Sequence, residues 1–238
     1  MIWNDPQGNK GILQEILDGL QQPKQDTGRW KFSDLLRRAN IYMRKIAEES
    51  ECLKIINTSN TSISGTFTYS TPGGCSRISR VAYGNQRLYG INQAELDGVS
   101  NSTSTWQNDT SPCSRYIDFS KYTPPSIRIW PTPQDSRTVI TLECVMQPTE
   151  MVNDTDVPFN GNPNFYSFHD LIAKGVVYLC LLEQERPFYM EWKAQYEKGM
   201  QDLKDFVRKM PDTMMSTLIV GSGSQGRNIS PLPGYKGF

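Results

Sequence analysis

The chain has 238 residues, enough for one large domain or two modest ones with a sizeable buried core. It carries 25 Lys and Arg, 25 Asp and Glu and a single His, so its formal net charge is zero. A neutral chain lacks the basic stripe that a dedicated nucleic-acid reader normally shows. One His also argues against most zinc sites and against paired imidazole chemistry. Composition therefore argues against most enzyme classes.

Two amphipathic helices are predicted near the start. Residues 11–20 place Ile12, Leu13 and Ile16 on one stripe, and a linker at residues 21–27 follows. A longer helix begins near Ser33, which we predict to be its N-cap. One face of this helix is apolar, and the other carries four basic residues that could form a surface for DNA or a neighbouring subunit. These are Arg37, Arg38, Arg44 and Lys45.

From residue 57 to residue 147, Ser, Thr, Gly and Pro separate short runs of β-forming residues. The predicted strands cover residues 65–69, 76–83, 86–90, 114–119, 126–130 and 138–146. In the last of these, Ile140, Leu142, Cys144 and Met146 alternate with other residues, as one core-facing side of a strand requires. Strands that follow one another without helices between them predict antiparallel pairing.

After a long connection at residues 148–164, two more helices are predicted. Ser167 and Asp170 fit the N-cap and the carboxylate of a capping box, with Tyr166 and Leu171 at the staple positions. This helix runs to about residue 184 and is apolar nearly all round, so we expect it at the centre of the core. Pro187 is predicted to start the last helix. The buried stripe of that helix is Trp192, Tyr196, Met200, Leu203, Phe206, Val207 and Met210.

Residues 211–238 differ in composition from the rest. A Gly-Ser stretch separates two apolar segments, and the only charges are Asp212, Arg227 and Lys236. A segment with apolar anchors outside the core typically docks on a partner. We predict an extended C-terminal arm that docks through Met214, Met215, Leu218, Ile219, Val220, Leu232, Tyr235 and Phe238.

The search for catalytic and ligand-binding motifs favours structural interpretations. Glu48, Glu49 and Glu51 could supply the carboxylates of a glycosidase, but a solvated helix end is the expected role. His169 has no accompanying nucleophile motif and is expected to form local hydrogen bonds. The glycine runs lack the Lys-Ser/Thr of a phosphate loop, and the cysteines show no metal-binding spacing. We therefore predict no catalytic residue, no metal and no cofactor.

The cellular setting is predicted from the N-terminal residues and the apolar runs. The chain shows no signal-peptide pattern at its start, and its longest apolar run, near residues 171–182, is too short to span a bilayer. We expect a protein made in the cytoplasm without a membrane partner. Cys144 and Cys180 lie in apolar stretches and are predicted to be buried, reduced thiols.

Three motifs follow one another in order along residues 27–210. They are Trp30-x-Phe32-x-Asp34-Leu35-Leu36 continuing to Asn40-x-x-Met43-Arg44-x-Ile46-Ala47, then Ile127-Arg128-Ile129-Trp130-Pro131-x-Pro133, then His169-Asp170-Leu171-Ile172. The ordered set resembles the head-to-tail adaptor proteins of tailed bacteriophages, which join the portal to the tail. The middle motif is the most telling, because two prolines, which lack an N–H donor, end a strand.

The resemblance implies a structural virion protein without catalysis, located in the neck after synthesis in the bacterial host cytoplasm. Such proteins form a ring, commonly dodecameric, under the portal, with double-stranded DNA passing through it without sequence-specific contact. The implied partners are the portal protein, the next tail or neck component and copies of the chain itself. Two other functions stay open: a nucleic-acid-binding module, and a carbohydrate-binding or cell-wall-degrading tail protein.

The predicted fold class is α+β. A helical bundle would comprise residues 27–56 and 165–210, with an antiparallel β-rich insertion at residues 57–150. Residues 1–26 would form an N-terminal extension with a short helix, residues 151–164 a connecting loop, and residues 211–238 the arm.

Overall fold

Both ends of the described chain contribute to one group of α-helices. The computed structural model describes residues 2–4, 11–23, 28–90, 108–111, 116–118 and 126–210. Its α-helices are α1 (Ile12–Gly19), α2 (Phe32–Ser50), α3 (Asp170–Glu183) and α4 (Tyr189–Lys209). Their apolar faces meet in a first core, so the bundle predicted from the periodicity is present and the fold is α+β.

The first helix is part of this core. Ile12, Leu13, Ile16 and Leu17 are buried, and Trp3, which precedes the helix, is 2% exposed. The backbone N–H groups of Ile12 and Leu13 donate to the carbonyls of Ile2 and Trp3 at 3.1 and 2.9 Å. The structure therefore adds α1 to the bundle, which was predicted to begin at residue 27, because the stripe on α1 is buried against the other helices.

Two predicted helix starts differ from the structure. Helix α2 begins at Phe32 with Lys31 at the N-cap, so Ser33 lies in the first turn and does not cap it. Before α3, residues Pro163–Phe168 form a 3₁₀ helix, and His169 is the N-cap. Ser167 therefore cannot begin a capping box, since a tighter turn has already formed around it.

Helix α3 lies at the centre of the first core, as its apolar composition predicts. Leu171, Ile172, Val176, Val177 and Cys180 are all 1% exposed or less. By length and composition the stretch Pro163–Glu183 could cross a membrane, but 56% of its apolar window is buried inside the protein. Burial of this kind is typical of a core helix of a globular protein.

Helix α4 packs along α3 through part of its predicted stripe. Tyr196, Met200, Leu203 and Val207 are buried, whereas Phe206 is 37% exposed at the edge of the contact. The helix starts at Tyr189 with Phe188 at its N-cap. Pro187 thus lies in the turn before the helix and not in its first turn.

Ten strands lie between α2 and α3 within the described residues. They are β1 (Lys54–Thr61), β2 (Thr68–Ser70), β3 (Cys75–Tyr83), β4 (Gln86–Arg87), β5 (Tyr89–Gly90), β6 (Thr110–Ser111), β7 (Tyr116–Asp118), β8 (Ser126–Trp130), β9 (Thr132–Pro133) and β10 (Val139–Met146). Every predicted strand has a counterpart among them. Strand β1 was not predicted, because its sequence is polar and shows no alternation.

The strands form two four-stranded sheets and one short pair. The first sheet has the order β1-β10-β3-β4 and is antiparallel throughout. The second has the order β2-β8-β7-β5, and its β5–β7 pair is parallel, as is the β6–β9 pair. The expectation of antiparallel pairing was wrong for these two pairs, whose strands are separated by long connections that permit either direction.

Side chains from both sheets meet in a second core. Ile140, Leu142 and Cys144 of β10 are fully buried there, as their alternation predicts, together with Ile127 and Ile129 of β8. Met146, at the end of β10, contacts both cores. The backbone N–H of Met146 donates to the Leu53 carbonyl at 2.7 Å, so the helical part and the β part are joined at this point.

Candidate interaction surfaces

The glutamates near the end of α2 lie among basic side chains. Glu51 contacts Lys54 at 2.5 Å and also pairs with Arg77, and hydrogen bonding from Lys54 holds the pKa of Glu51 below its ordinary value. Glu49 lies 3.9 Å from Lys45 and 3.8 Å from Lys204. A glycosidase general acid needs a raised pKa. Glu51 therefore serves as an ion-pair partner and not as a proton donor.

A cleft of about 510 Å³ lies beside these glutamates, between α2, α4 and the first sheet. Its lining carries acids and bases together: Glu49, Glu51, Glu143, Lys54, Lys204 and Arg208. Because neighbouring charges of opposite sign cancel, the cleft does not attract anionic or cationic ligands selectively. The cleft lies at the junction between the helical part and the β part.

His169 is completely buried at the start of α3. Its ring lies 5.9 Å from the ring of Phe159 and 5.2 Å from that of Tyr166, measured between centroids. Its backbone N–H donates to the Tyr166 carbonyl at 3.5 Å, and its own carbonyl accepts from Ile172 at 3.2 Å. These two hydrogen bonds are made by the backbone, and the imidazole packs between the aromatic rings of Phe159 and Tyr166.

The cysteines of the described residues are free thiols. Cys144 and Cys180 are fully buried, which confirms their predicted packing role, and burial raises the pKa of the Cys180 thiol to about 11. In the described part of the chain, no group of three or more His, Cys, Asp or Glu side chains could hold a metal ion.

The four residues of the predicted basic surface (Arg37, Arg38, Arg44 and Lys45, here the basic face) differ in their surroundings. Arg38 makes a bidentate pair with Glu183 of α3 at 2.6 and 2.9 Å, and its guanidinium lies 4.5 Å from the centroid of the Trp30 ring. Arg44 lies 3.5 Å from Glu150, and Lys45 contacts Glu49. Arg37 is exposed. Neighbouring acids thus balance three of the four charges.

Aromatic side chains are mostly used for packing, which agrees with the sequence analysis. Among the described residues, seven of them are at least 93% buried: Trp3, Tyr42, Tyr69, Tyr83, Phe159, Phe165 and Tyr196. Tyr42 and Tyr196 meet edge to face, with centroids 5.6 Å apart, and desolvation raises the pKa of Tyr42 to about 12. Buried rings of this kind cannot stack on bases of single-stranded nucleic acid.

An apolar surface surrounds the turn between α3 and α4. Leu182, Phe188 and Met190 are 39%, 61% and 57% exposed, and we call these three residues the turn surface. Phe188 also lines a cleft of about 280 Å³ with Leu20 and Trp192. Large exposed apolar side chains near one turn make this surface a candidate for contact with another protein. Sequence reasoning missed this surface; its only signal was that Phe188 and Met190 lie off the buried stripe of α4.

The docking residues predicted in the arm, from Met214 to Phe238, lie outside the described residues. The described chain ends at Met210, which is partly buried against the first core and lines the charged cleft. The described chain thus ends on the side of the helical part that faces the junction with the β part.

Comparison with known proteins identifies a family. No curated protein matches the chain. The family model described as SU10 adaptor protein matches residues 10–221, which include all four helices and both sheets. The match begins before α1, whereas the resemblance in the sequence motifs began at residue 27, and this agrees with the burial of α1 in the core. The chain belongs to the SU10 adaptor protein family, and its role is that of a structural phage adaptor.

Proposed function

We propose that the protein is a head-to-tail adaptor that docks under the portal as a dodecameric ring, extends the DNA channel and provides the platform for tail attachment. The observation that carries this proposal is the family match over residues 10–221. It agrees with the order of motifs in the sequence. The partners are the portal protein, the next neck or tail component and other copies of the chain.

Contacts between subunits are assigned to the helical part. The turn surface exposes Leu182, Phe188 and Met190, and a subunit of a ring needs apolar anchors of this type on its lateral faces. Next to the turn surface, Arg186 and Glu191 line the same cleft as Phe188 and can supply the polar rim of such an interface.

The charge distribution supports a channel through which DNA slides. Each phosphate contact strengthens retention of the duplex, and a protein that must release DNA gains from few such contacts. The net charge is zero, and the ion pairs of Arg38, Arg44 and Lys45 limit the attraction of the basic face for phosphates. We therefore assign the basic face to contact with a neighbouring subunit or to passing, non-specific contact with DNA.

The β part and the arm are assigned to the two different partners. The β part has its own core and joins the helical part at one end, so it can extend from the ring as a platform for the next tail component. The arm carries apolar anchors, including Leu218, Ile219 and Val220, and is proposed to dock on the portal.

Deletion of residues 211–238 tests this assignment. We expect the truncated protein to keep its circular dichroism spectrum, because the described residues of the first core lie between Trp3 and Met210 and pack against one another. Binding to purified portal, measured by co-sedimentation, should fall at least tenfold. A matched control replaces Leu218, Ile219 and Val220 by Ser in the full chain and should lose binding in the same way. Undiminished binding by a folded truncated protein would overturn the assignment of the arm.

A further inference from the structure

Two cysteines lie on neighbouring strands of the first sheet and share one face. Along β10 and β3, Cys144 is opposite Ile78, Val145 is opposite Arg77, and Met146 is opposite Cys75. One residue of β3, Ser76, therefore has no partner, and the register shifts there. Because side chains alternate along a strand, this bulge turns Cys75 to the face of Met146 and Cys144. If the ladder stayed regular beyond Ile78, Cys75 would point to the opposite face; a second shift, at Ser79, lies on the other side of Ile78 in the same strand pair.

Contacts around Ser76 stabilise the bulge and the position of the two cysteines. The Ser76 hydroxyl donates to the Val145 carbonyl at 2.9 Å, which ties the extra residue to the partner strand. Cys144 is fully buried in the second core, and Cys75 packs at the edge of that core, half-buried. Cys75 is opposite Met146, two residues along β10 from Cys144, so the two thiols are diagonal neighbours on one face of the sheet. The Cys75 thiol also donates to the Arg77 carbonyl at 3.6 Å.

The proximity of the two thiols makes the sulfurs chemically different. Hydrogen bonding from the Cys144 thiol lowers the pKa of Cys75, whereas that interaction and burial raise the pKa of Cys144. The more accessible sulfur is thus also the one with more thiolate character, which is the species that attacks disulfides. Cys75 is suited to react first and Cys144 to react second.

We propose that Cys75 and Cys144 are a dithiol that closes to a disulfide and staples β3 to β10. The Cys75 thiolate attacks a low-molecular-weight disulfide, forming a mixed disulfide and releasing one thiolate. Cys144 then loses its proton and attacks the Cys75 sulfur, releasing the second thiol. Overall, two protein thiols and one small disulfide yield one protein disulfide and two small thiols.

A virion passes from the reducing host cytoplasm to an oxidising exterior, and this change could drive formation of the disulfide. Thiols stay reduced in a cytoplasm, whereas disulfides persist on particles outside the cell. A reduced pair during assembly and an oxidised pair after release would constrain the β part only when assembly is complete. This setting rests on the proposed function, but disulfide formation in the isolated chain does not depend on any ring or portal.

Oxidised glutathione and mass spectrometry test the proposal. The purified full-length protein is incubated with oxidised glutathione, free thiols are blocked with N-ethylmaleimide, and peptides are mapped without reduction. We expect loss of two hydrogen atoms from the intact mass and a linked peptide pair containing Cys75 and Cys144. Dithiothreitol should reverse both changes.

Variants separate the proposed pair from other thiols. Cys75→Ser should abolish the linkage, and Cys144→Ala should leave glutathione attached to Cys75, because the second thiol is missing. Cys52→Ser with Cys180→Ser is the matched control and should form the disulfide as the natural protein does, since both residues lie in the first core. A linkage of Cys75 to Cys113, or stable glutathionylation of Cys75 with Cys144 present, would overturn the proposal.

Discussion

Asn40 joins α2 to the connection that follows the β part through both polar groups of its amide. Its Nδ2 donates to the Met151 carbonyl at 2.9 Å, and its Oδ1 accepts from the Met151 N–H at 2.9 Å. Asn40 is 8% exposed and Met151 is 2% exposed, so water has little access to either group. A side chain that satisfies both polar groups of a buried peptide holds the connection at one place on the helix.

Replacing Asn40 by Ala leaves a buried donor and a buried acceptor without partners. Each unsatisfied group costs about 1–3 kcal/mol, so we expect Asn40→Ala to lower the free energy of unfolding by about 2–4 kcal/mol. Urea unfolding followed by fluorescence measures the loss. Gln201→Ala is the matched control, because its amide bonds to Asp205 on an exposed face, and a change within about 0.5 kcal/mol is expected there. Equal effects of both substitutions would contradict this role of Asn40.

The backbone of α3 approaches α2 closely where Gly175 crosses Tyr42. A Cβ atom added at Gly175 would lie 2.3 Å from Cδ1 and 3.0 Å from Cγ of the Tyr42 ring. The ring cannot move away easily, because it also meets the edge of Tyr196 on α4. Gly175 therefore lets three helices pack around one aromatic pair.

Gly175→Ala tests this packing. Alanine favours a helix by about 1 kcal/mol over glycine, but the clash with Tyr42 must displace a ring fixed in the core. We expect a net loss of about 1–3 kcal/mol in the free energy of unfolding, measured by urea titration. Gly73→Ala is the matched control, since a Cβ there meets no atom within 4 Å. Unchanged or increased stability of Gly175→Ala would show that the helices can separate at no cost.

A helix or strand can be predicted from the sequence when its own residues show which face is buried. It is harder to predict when it is stabilised by contacts with distant residues. Strand β10 was predicted because its own alternation encodes a buried face, and Ile140, Leu142 and Cys144 are indeed at 0% exposure. The sequence of strand β1 shows no comparable alternation. This strand is stabilised by pairing with β10, which is distant in the sequence. Helix α3 also begins later than predicted, after a 3₁₀ helix that contains Phe165. Phe165 is buried in the first core, and this contact with distant residues cannot be read from the local sequence.

The same distinction applies to the candidate surfaces. The basic face could be read from the helical spacing of Arg37, Arg38, Arg44 and Lys45. Its ion pairs could not, because Glu183 and Glu150 come from distant parts of the chain. The thiol pair escaped prediction because the register between β3 and β10 shifts twice, at Ser79 and at Ser76. The two shifts bring Cys75 opposite Met146, two residues nearer to Cys144 than a regular register would.

For the whole molecule, the question is which parts are stable in an isolated subunit. Each core is buried without help from another chain, so the helical part and the β part can fold in a monomer. The turn surface is small: three side chains are partly exposed, and each retains contacts within its own chain. Full burial of one such side chain contributes about 1.5–3 kcal/mol, whereas association costs at least about 4 kcal/mol. A single lateral contact of this size therefore gives weak self-association.

We thus expect the isolated protein to be a monomer or a weak oligomer, with ring order imposed by the portal. Multi-angle light scattering at low micromolar concentration should give the monomer mass, and addition of portal should produce rings in electron micrographs. Phe188→Ser combined with Met190→Ser should reduce ring occupancy on the portal, because neighbouring subunits then lose their apolar anchors. Ile63→Ser, at an exposed site of the β part, is the matched control and should assemble normally. Stable rings without portal would contradict the expectation, since the lateral contacts alone would then suffice.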